Sequence, residues 1–299
     1  MGEKYNLTGK NYSDEEREAT EKGLEYLVHE ARGVDPDELE KTPLELEIIQ
    51  TCKDMLRTTL SAFGIDKKLE INADQIHIYP PEKYPDRENK TIANVAVVTQ
   101  KIEVKRRGSK TKMIAALLHE MIHLASDLVF YSHVSDVDGL LDISDAKSGY
   151  RLHSEWKTGG KHKFVGLNEA ITDILMYRIL KKNEETLKNQ FRISISEEII
   201  SYTTFWDIVK KIIDKIAIVT GSEFETILDD YIRAQFTGEM MHLRDIERLY
   251  GKGSLQVLAL LGYDETLTPL IQKYFETDSE KERKELFEQL KPHLPILKN

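Results

Sequence analysis

The sequence predicts an α+β fold, rich in helix, with a small sheet dominated by antiparallel pairing and a helical C-terminal subdomain. Three observations point there. Capped helical segments open and close the chain, short β-branched runs occupy residues 69–107, and the middle carries two helices that are apolar on most faces. With 299 residues, 40% of them hydrophobic and 31% charged, the chain has apolar material for a substantial core. By pattern it divides into an N-terminal helical segment (1–66), a central core (67–183) and the C-terminal helical part (184–299).

In chain order, Ser13 with Glu16 forms the capping box of a first helix that Gly33 closes. Thr42 caps a second, with Pro43 at its first position and Glu45 three residues after the cap, and the amphipathic pattern runs to Gly64. LEINADQIHIYP, IANVAVVT and KIEVKR then read as strands separated by a proline-rich, charged loop. After Arg107-Gly108-Ser109, the run MIAALLHEMIHLASDLVF reads as one buried helix. Residues 131–165 form an irregular insert that ends in a hairpin, SGYRLHSEW and HKFVG joined by Lys157 to Gly160. The apolar helix GLNEAITDILMYRIL follows. Beyond Asn183 the punctuation is helical: Ser222 with Glu225 and Ser279 with Glu282 are capping boxes, and Gly221, Gly238, Gly251 and Gly262 stand where helices stop.

Charge and composition exclude several classes of function. A formal net charge of -10 repels a nucleic-acid polyanion. There is no run of 18 apolar residues to cross a membrane. The opening MGEKYNLTGK lacks the apolar stretch of a secretory signal, so the expectation is a cytoplasmic protein. Cys52, the one cysteine, sits among apolar helix residues and reads as a buried small hydrophobe. Asp136-Val137-Asp138-Gly139 with Asp142 and Asp145 lacks the EF-hand spacing and reads as a solvated loop. Lys101, Lys105, Arg106, Arg107, Lys110 and Lys112 read as charges that keep a loop in water. Phe205, Trp206 and Phe224 read as core aromatics. His29, His77 and His293, without metal-ligand spacing, read as surface residues.

The chemical signal is His119-Glu120-Met121-Ile122-His123. A helix places residues four apart on one face, so both imidazoles reach one tetrahedral Zn²⁺, and Glu120 stands beside the position left open for water. Burying two imidazoles and a carboxylate on an apolar helix is costly unless something binds them. A third protein ligand is then required. The metzincin extension needs Gly at 126 and His at 129, where Ser126 and Val129 stand. Downstream, Glu169 and Asp173 lie four apart on an otherwise apolar helix: Glu169 could complete the ligand set, and Asp173 could accept the outward N–H of His119 or His123.

HEMIH followed by GLNEAITD resembles the gluzincins, the thermolysin-like zinc metallopeptidases, and over roughly residues 70–180 is closer to their small bacterial, minigluzincin-like members than to thermolysin itself. The resemblance implies a zincin-type core with one Zn²⁺ held by His119, His123 and Glu169, Glu120 as general base, and Asp173 as the acid orienting a ligand. It implies that Asn94 to Val98, with Asn94 and Ala96 as substrate-binding residues, form the edge strand of the cleft, to which an extended peptide adds itself. It also implies an oxyanion-stabilising Tyr or His. Tyr150 and His153, which lie shortly before Glu169, are the first choices, ahead of Tyr131, His133, His162 and His242. No Gly-x-Met-Glu-Asn segment of the aminopeptidase branch occurs, which within the resemblance favours an endopeptidase acting on a peptide or protein substrate. The competing expectation is a catalytically silent, metal-binding regulatory or scaffold protein whose helical subdomain binds a partner.

Overall fold

The structure, a computed structural model, describes residues 6–8, isolated positions between 18 and 33, and residues 35–66, 69, 71–84, 92–96, 99–134, 141–154 and 162–294. The capping box at Ser13, the loop Asp136–Gly139 and the turn Lys157–Gly160 lie outside them. Helix α1 (Pro43–Ala62) begins as its sequence predicts: the Glu45 N–H donates to Thr42 Oγ1 at 3.2 Å, and the Thr42 N–H donates to Glu45 Oε2 at 2.7 Å. Arg106 then closes on the same carboxylate, with Nε and Nη2 each 2.8 Å from a Glu45 oxygen. A helix cap is thereby tied to the end of a strand, which corrects the reading of that basic cluster as loop solvation. Lys105 is likewise 2% exposed, its ammonium 4.7 Å from the centre of the Tyr84 ring.

Three strands, β2 (Ile76–Tyr79), β3 (Ala93–Ala96) and β4 (Lys101–Lys105), form a sheet in the order β2-β4-β3. β2 runs parallel to β4, and β3 is the antiparallel edge strand. A second sheet orders β1 (Asn6–Thr8), β5 (Leu128–Val134), β6 (Leu141–Ser148), β7 (Arg151–Ser154) and β8 (His162–Lys163), with all pairs antiparallel except β1 with β5. The expected hairpin is β7 and β8, but β5 and β6 extend it into a sheet where an irregular insert was expected.

Helix α2 (Lys110–Ala125) stops earlier than its apolar run. Ser126 turns extended, its hydroxyl donates to the Ile122 carbonyl at 2.8 Å, and Leu128 to Phe130 enter β5. A short apolar run such as Leu-Val-Phe reads equally as buried helix or buried strand, and pairing with β6 decided it.

The helical part comprises α3 (Val165–Lys182), α4 (Glu184–Phe191), α5 (Thr203–Thr220), α6 (Phe224–Thr237), α7 (Arg244–Tyr250), α8 (Ser254–Ala259), α9 (Thr268–Glu276) and α10 (Glu280–Leu290). Gly221 and Gly238 end α5 and α6 in the left-handed conformation, at φ 68° and 77°. Ser279 caps α10 through the Glu282 N–H, whereas α6 is capped by position 223 without a side-chain bond, so the Ser222 capping box does not form. One connected apolar cluster runs from Ile48 to Leu290, across both of the expected divisions near 66 and 183. Cys52 is part of it, 0% exposed, its thiol pushed up to about 12 by burial. Phe205, Trp206 and Phe224 pack against the same cluster. His29 and His293 are exposed, but His77 is buried and sits 2.7 Å from Glu38, so its reading as a surface residue fails. Among the described residues no helix is long and apolar enough to cross a membrane.

Glu45, 6% exposed, serves both the cap and Arg106. Replacing it, Glu45→Ala, is expected to lower unfolding stability by about 1–3 kcal/mol, through the lost cap and an Arg106 left without its acid, as read from urea denaturation.

Candidate metal centre

Two helices build the site. Ser109 caps α2 by accepting the Lys112 N–H at 3.3 Å, and from there the helical repeat carries Lys112, Ala116, His119, Glu120 and His123 along one side. The start of α3 is fixed by a close approach: the Gly166 N–H donates to the Leu261 carbonyl at 2.7 Å, and a Cβ at position 166 would run into Leu261. Gly166 through Asp173 are all buried, so the acids of this helix face the protein interior and not water.

The side chains of His119, His123 and Glu169 converge. His119 Nε2 lies 3.1 Å from Glu169 Oε2, His123 Nε2 lies 3.2 Å from the same oxygen, and the two Nε2 atoms are 3.0 Å apart. Ligand atoms about 2.0–2.1 Å from a tetrahedral ion stand roughly 3.3 Å from one another, so the triangle has the size a single ion requires. The three buried groups could therefore hold a metal ion. With both Nε2 atoms unprotonated, as metal ligation requires, they and the carboxylate oxygen are all acceptors, and acceptors at such distances repel unless a proton or a cation sits between them.

Two further residues orient the imidazoles. Asp173 Oδ1 lies 2.7 Å from His119 Nδ1, while Oδ2 accepts the backbone N–H groups of Ser201 and Tyr202, both at 2.8 Å. This carboxylate, 1% exposed, is satisfied on both sides and leaves His119 Nε2 as the free ring nitrogen. Asn168 brings its side-chain amide 3.1 Å from His123 Nδ1, and its Oδ1 accepts the Tyr150 N–H at 2.9 Å.

Electrostatics follow from the burial. Desolvation disfavours the imidazolium of His119, but hydrogen bonds to Asp173 and Glu169 and the charge of Glu120 outweigh it and raise its pKa well above the ordinary histidine value. Desolvation alone would raise Glu169; the charge of His123 and the hydrogen bonds from both imidazoles overcome that and hold it below the usual carboxylate range. Among the described residues no hydrogen bond supports the Glu120 carboxylate in this way, so loss of solvent dominates and raises it.

The chain matches no protein-family model, no curated protein and no solved structure.

A cavity of about 330 Å³ opens beside the triangle, with His119, Glu120, Ala116 and Lys112 on one wall, Ala93 and Ile92 of the β3 end on another, and Ile199, Ser201 and Tyr202 facing them. Asn94 and Ala96 do lie on the edge strand, Asn94 exposed and Ala96 half-buried, but Ala93 rather than either of them lines the cavity, and Val98 falls outside the described residues. Tyr150 is not brought there. Its ring is 2% exposed, and its hydroxyl donates to the Tyr231 carbonyl at 2.9 Å with His242 Nε2 2.7 Å away, so it packs the C-terminal part. Burial pulls the His242 ring down to about 4, which keeps it neutral. His153 is placed by its backbone alone, opposite Ala146 and His162 in the sheet. The phenol that does line the cavity is Tyr202, which sequence reasoning passed over. Its ring centre lies 6.0 Å from that of His119 and is stacked on Phe205 at 5.6 Å. Burial first, then the charges of Glu169, Glu120 and Asp173, raise its pKa and keep the hydroxyl protonated.

A proton on His119 competes with any ion. Because its pKa is raised, that proton persists to higher pH than on an ordinary histidine, and its occupancy grows as pH falls. Below the raised His119 value, zinc affinity measured by chelator competition is expected to weaken by about tenfold per pH unit for each displaced proton. Affinity that does not change between pH 6 and 8 would contradict the assignment of His119 as a ligand.

Proposed function

We propose that the protein is a zinc-dependent hydrolase of peptide bonds with a zincin-type core. The observation that supports this most is the meeting of His119, His123 and Glu169 from two helices, with Glu120 on the wall of the adjoining cavity. An imidazole pair and a carboxylate suit Zn²⁺, and His119, one corner of the triangle, lines a cavity where substrate has room. A bound Zn²⁺ supplies Lewis acidity, polarising a water and the scissile carbonyl and lowering the pKa of that water.

The protein's own groups do the rest. Glu120 accepts the proton of the attacking water and delivers it to the leaving amine; its raised pKa brings it closer to a value at which one carboxylate performs both transfers near neutral pH. Asp173 holds the proton of His119 on Nδ1, so that Nε2 faces the ion. Tyr202 takes the role first assigned to Tyr150 or His153: a protonated phenol beside the metal ligands can donate to the oxygen that gains charge as the carbonyl is attacked. Glu120 also separates this reading from a silent scaffold, because a purely structural ion has no use for a base on the cavity wall.

Glu120→Gln is expected to retain zinc, measured by elemental analysis, while cleavage of a mixed fluorogenic peptide library falls by about 10²–10⁴-fold. Undiminished biological activity in this variant would leave the scaffold reading standing. Tyr202→Phe, assayed on the same library, should lower kcat by about 10²–10³-fold with little change in KM, as loss of an oxyanion donor does.

A further inference from the structure

Gln235 lies on α6, a helix that supplies no ligand, and it is 0% exposed. Its side-chain Nε2 donates to Thr172 Oγ1 at 2.7 Å and to Ser126 Oγ at 3.2 Å. Those acceptors belong to the two ligand helices: Ser126 caps α2 three residues after His123, and Thr172 stands on α3 three residues after Glu169. Ser126 already donates its hydroxyl proton to the Ile122 carbonyl, which leaves its oxygen to accept from Gln235. The backbone carbonyl of Gln235 takes up the Asp127 N–H at 2.9 Å, so the residue holds the end of α2 through side chain and main chain together.

The same place is packed to contact. A Cβ added at Gly149 would sit 3.0 Å from Gln235 Cγ and 2.6 Å from Asn168 Oδ1, and Asn168 is the residue against His123 Nδ1. On the far side of the Gln235 amide, Oε1 is buried with no hydrogen-bond partner among the described residues. An orphaned buried acceptor is unfavourable, and a methionine of similar length would fill the space without it. The cost is explained if the amide is needed for what its nitrogen joins.

We propose that Gln235 is a positioning residue of the metal centre: its amide sets the spacing of α2 and α3, and with it the 3.2 Å meeting of His123 Nε2 and Glu169 Oε2. The proposal rests on the reading of His119, His123 and Glu169 as ligands. Metal sites need their ligands held within about 0.5 Å, and a helix pair joined only by apolar packing slides more easily than one joined by directed hydrogen bonds. Helix α6 would then act on the chemistry without touching it.

The test measures zinc affinity by chelator competition, together with the thermal midpoint, in the full-length protein. Gln235→Met should weaken zinc binding by about 10–100-fold, the range for partners that orient ligands, at a midpoint equal to or above that of the wild type. Thr172→Val cuts the same link from the other side and should weaken zinc comparably; the double variant should bind no more weakly than either single one, because both remove one strut. Ile212→Val, a core substitution on α5, should lower the midpoint and leave zinc affinity unchanged. Zinc affinity within twofold of wild type in Gln235→Met overturns the proposal, and should that variant not fold, the same result in Thr172→Val does so. A wild-type protein that binds no zinc overturns the metal reading itself, a different failure from a wild type that binds zinc and variants that bind it equally well.

Discussion

Two imidazole nitrogens and a carboxylate oxygen, buried and pointing at one another, are the constraint on which the rest of this protein depends. His119 Nε2, His123 Nε2 and Glu169 Oε2 stand 3.0–3.2 Å apart with almost no solvent to screen them. Such a triangle is unstable without positive charge at its centre, whether a proton shared with His119 or a divalent ion. The surroundings supply a carboxylate behind the His119 imidazole, as ligating histidines need, and a cavity at the side.

Holding that triangle together is work for the whole chain. α1 packs against α2 through Cys52, whose thiol lies 3.8 Å from the Ile114 carbonyl. The turn after α8 grips the start of α3 through Gly166, and α6 braces both ligand helices through Gln235. Segment 201–202 closes back onto Asp173 with two backbone N–H groups and thereby sets Tyr202 over His119. A single apolar cluster linking Ile48 to Leu290 is the expected consequence, because a site assembled from distant helices needs a rigid common core.

Much of this was legible in the residues. The cap at Thr42, the strands ending at Tyr79 and Lys105, and the glycine stops at 221 and 238 follow from local rules, since each depends on neighbours within a turn or a strand length. The misreadings have particular causes. Leu128 to Phe130 looked helical because an apolar run carries no period of its own, and β6 looked irregular because LDISDAKS carries three charges and a single β-branched residue, although it pairs with its chain neighbours β5 and β7. His77 and Arg106 looked exposed because their acids, Glu38 and Glu45, come from 39 and 61 residues away.

The sequence by itself determined which groups could act: the spacing of His119 and His123, the carboxylate at 120, and the pair Glu169 and Asp173, all set by the helical repeat of 3.6 residues. Only the tertiary structure decided which of them meet and what stands around them. It sent Tyr150 to Tyr231 and His242, put Tyr202 in the cavity, and gave Gln235 its hold on two helices. The physical reason is range. Periodicity and caps are written within a few residues, whereas the side a lone tyrosine or glutamine faces depends on how helices pack across gaps of 30 to 110 residues, which no local pattern records.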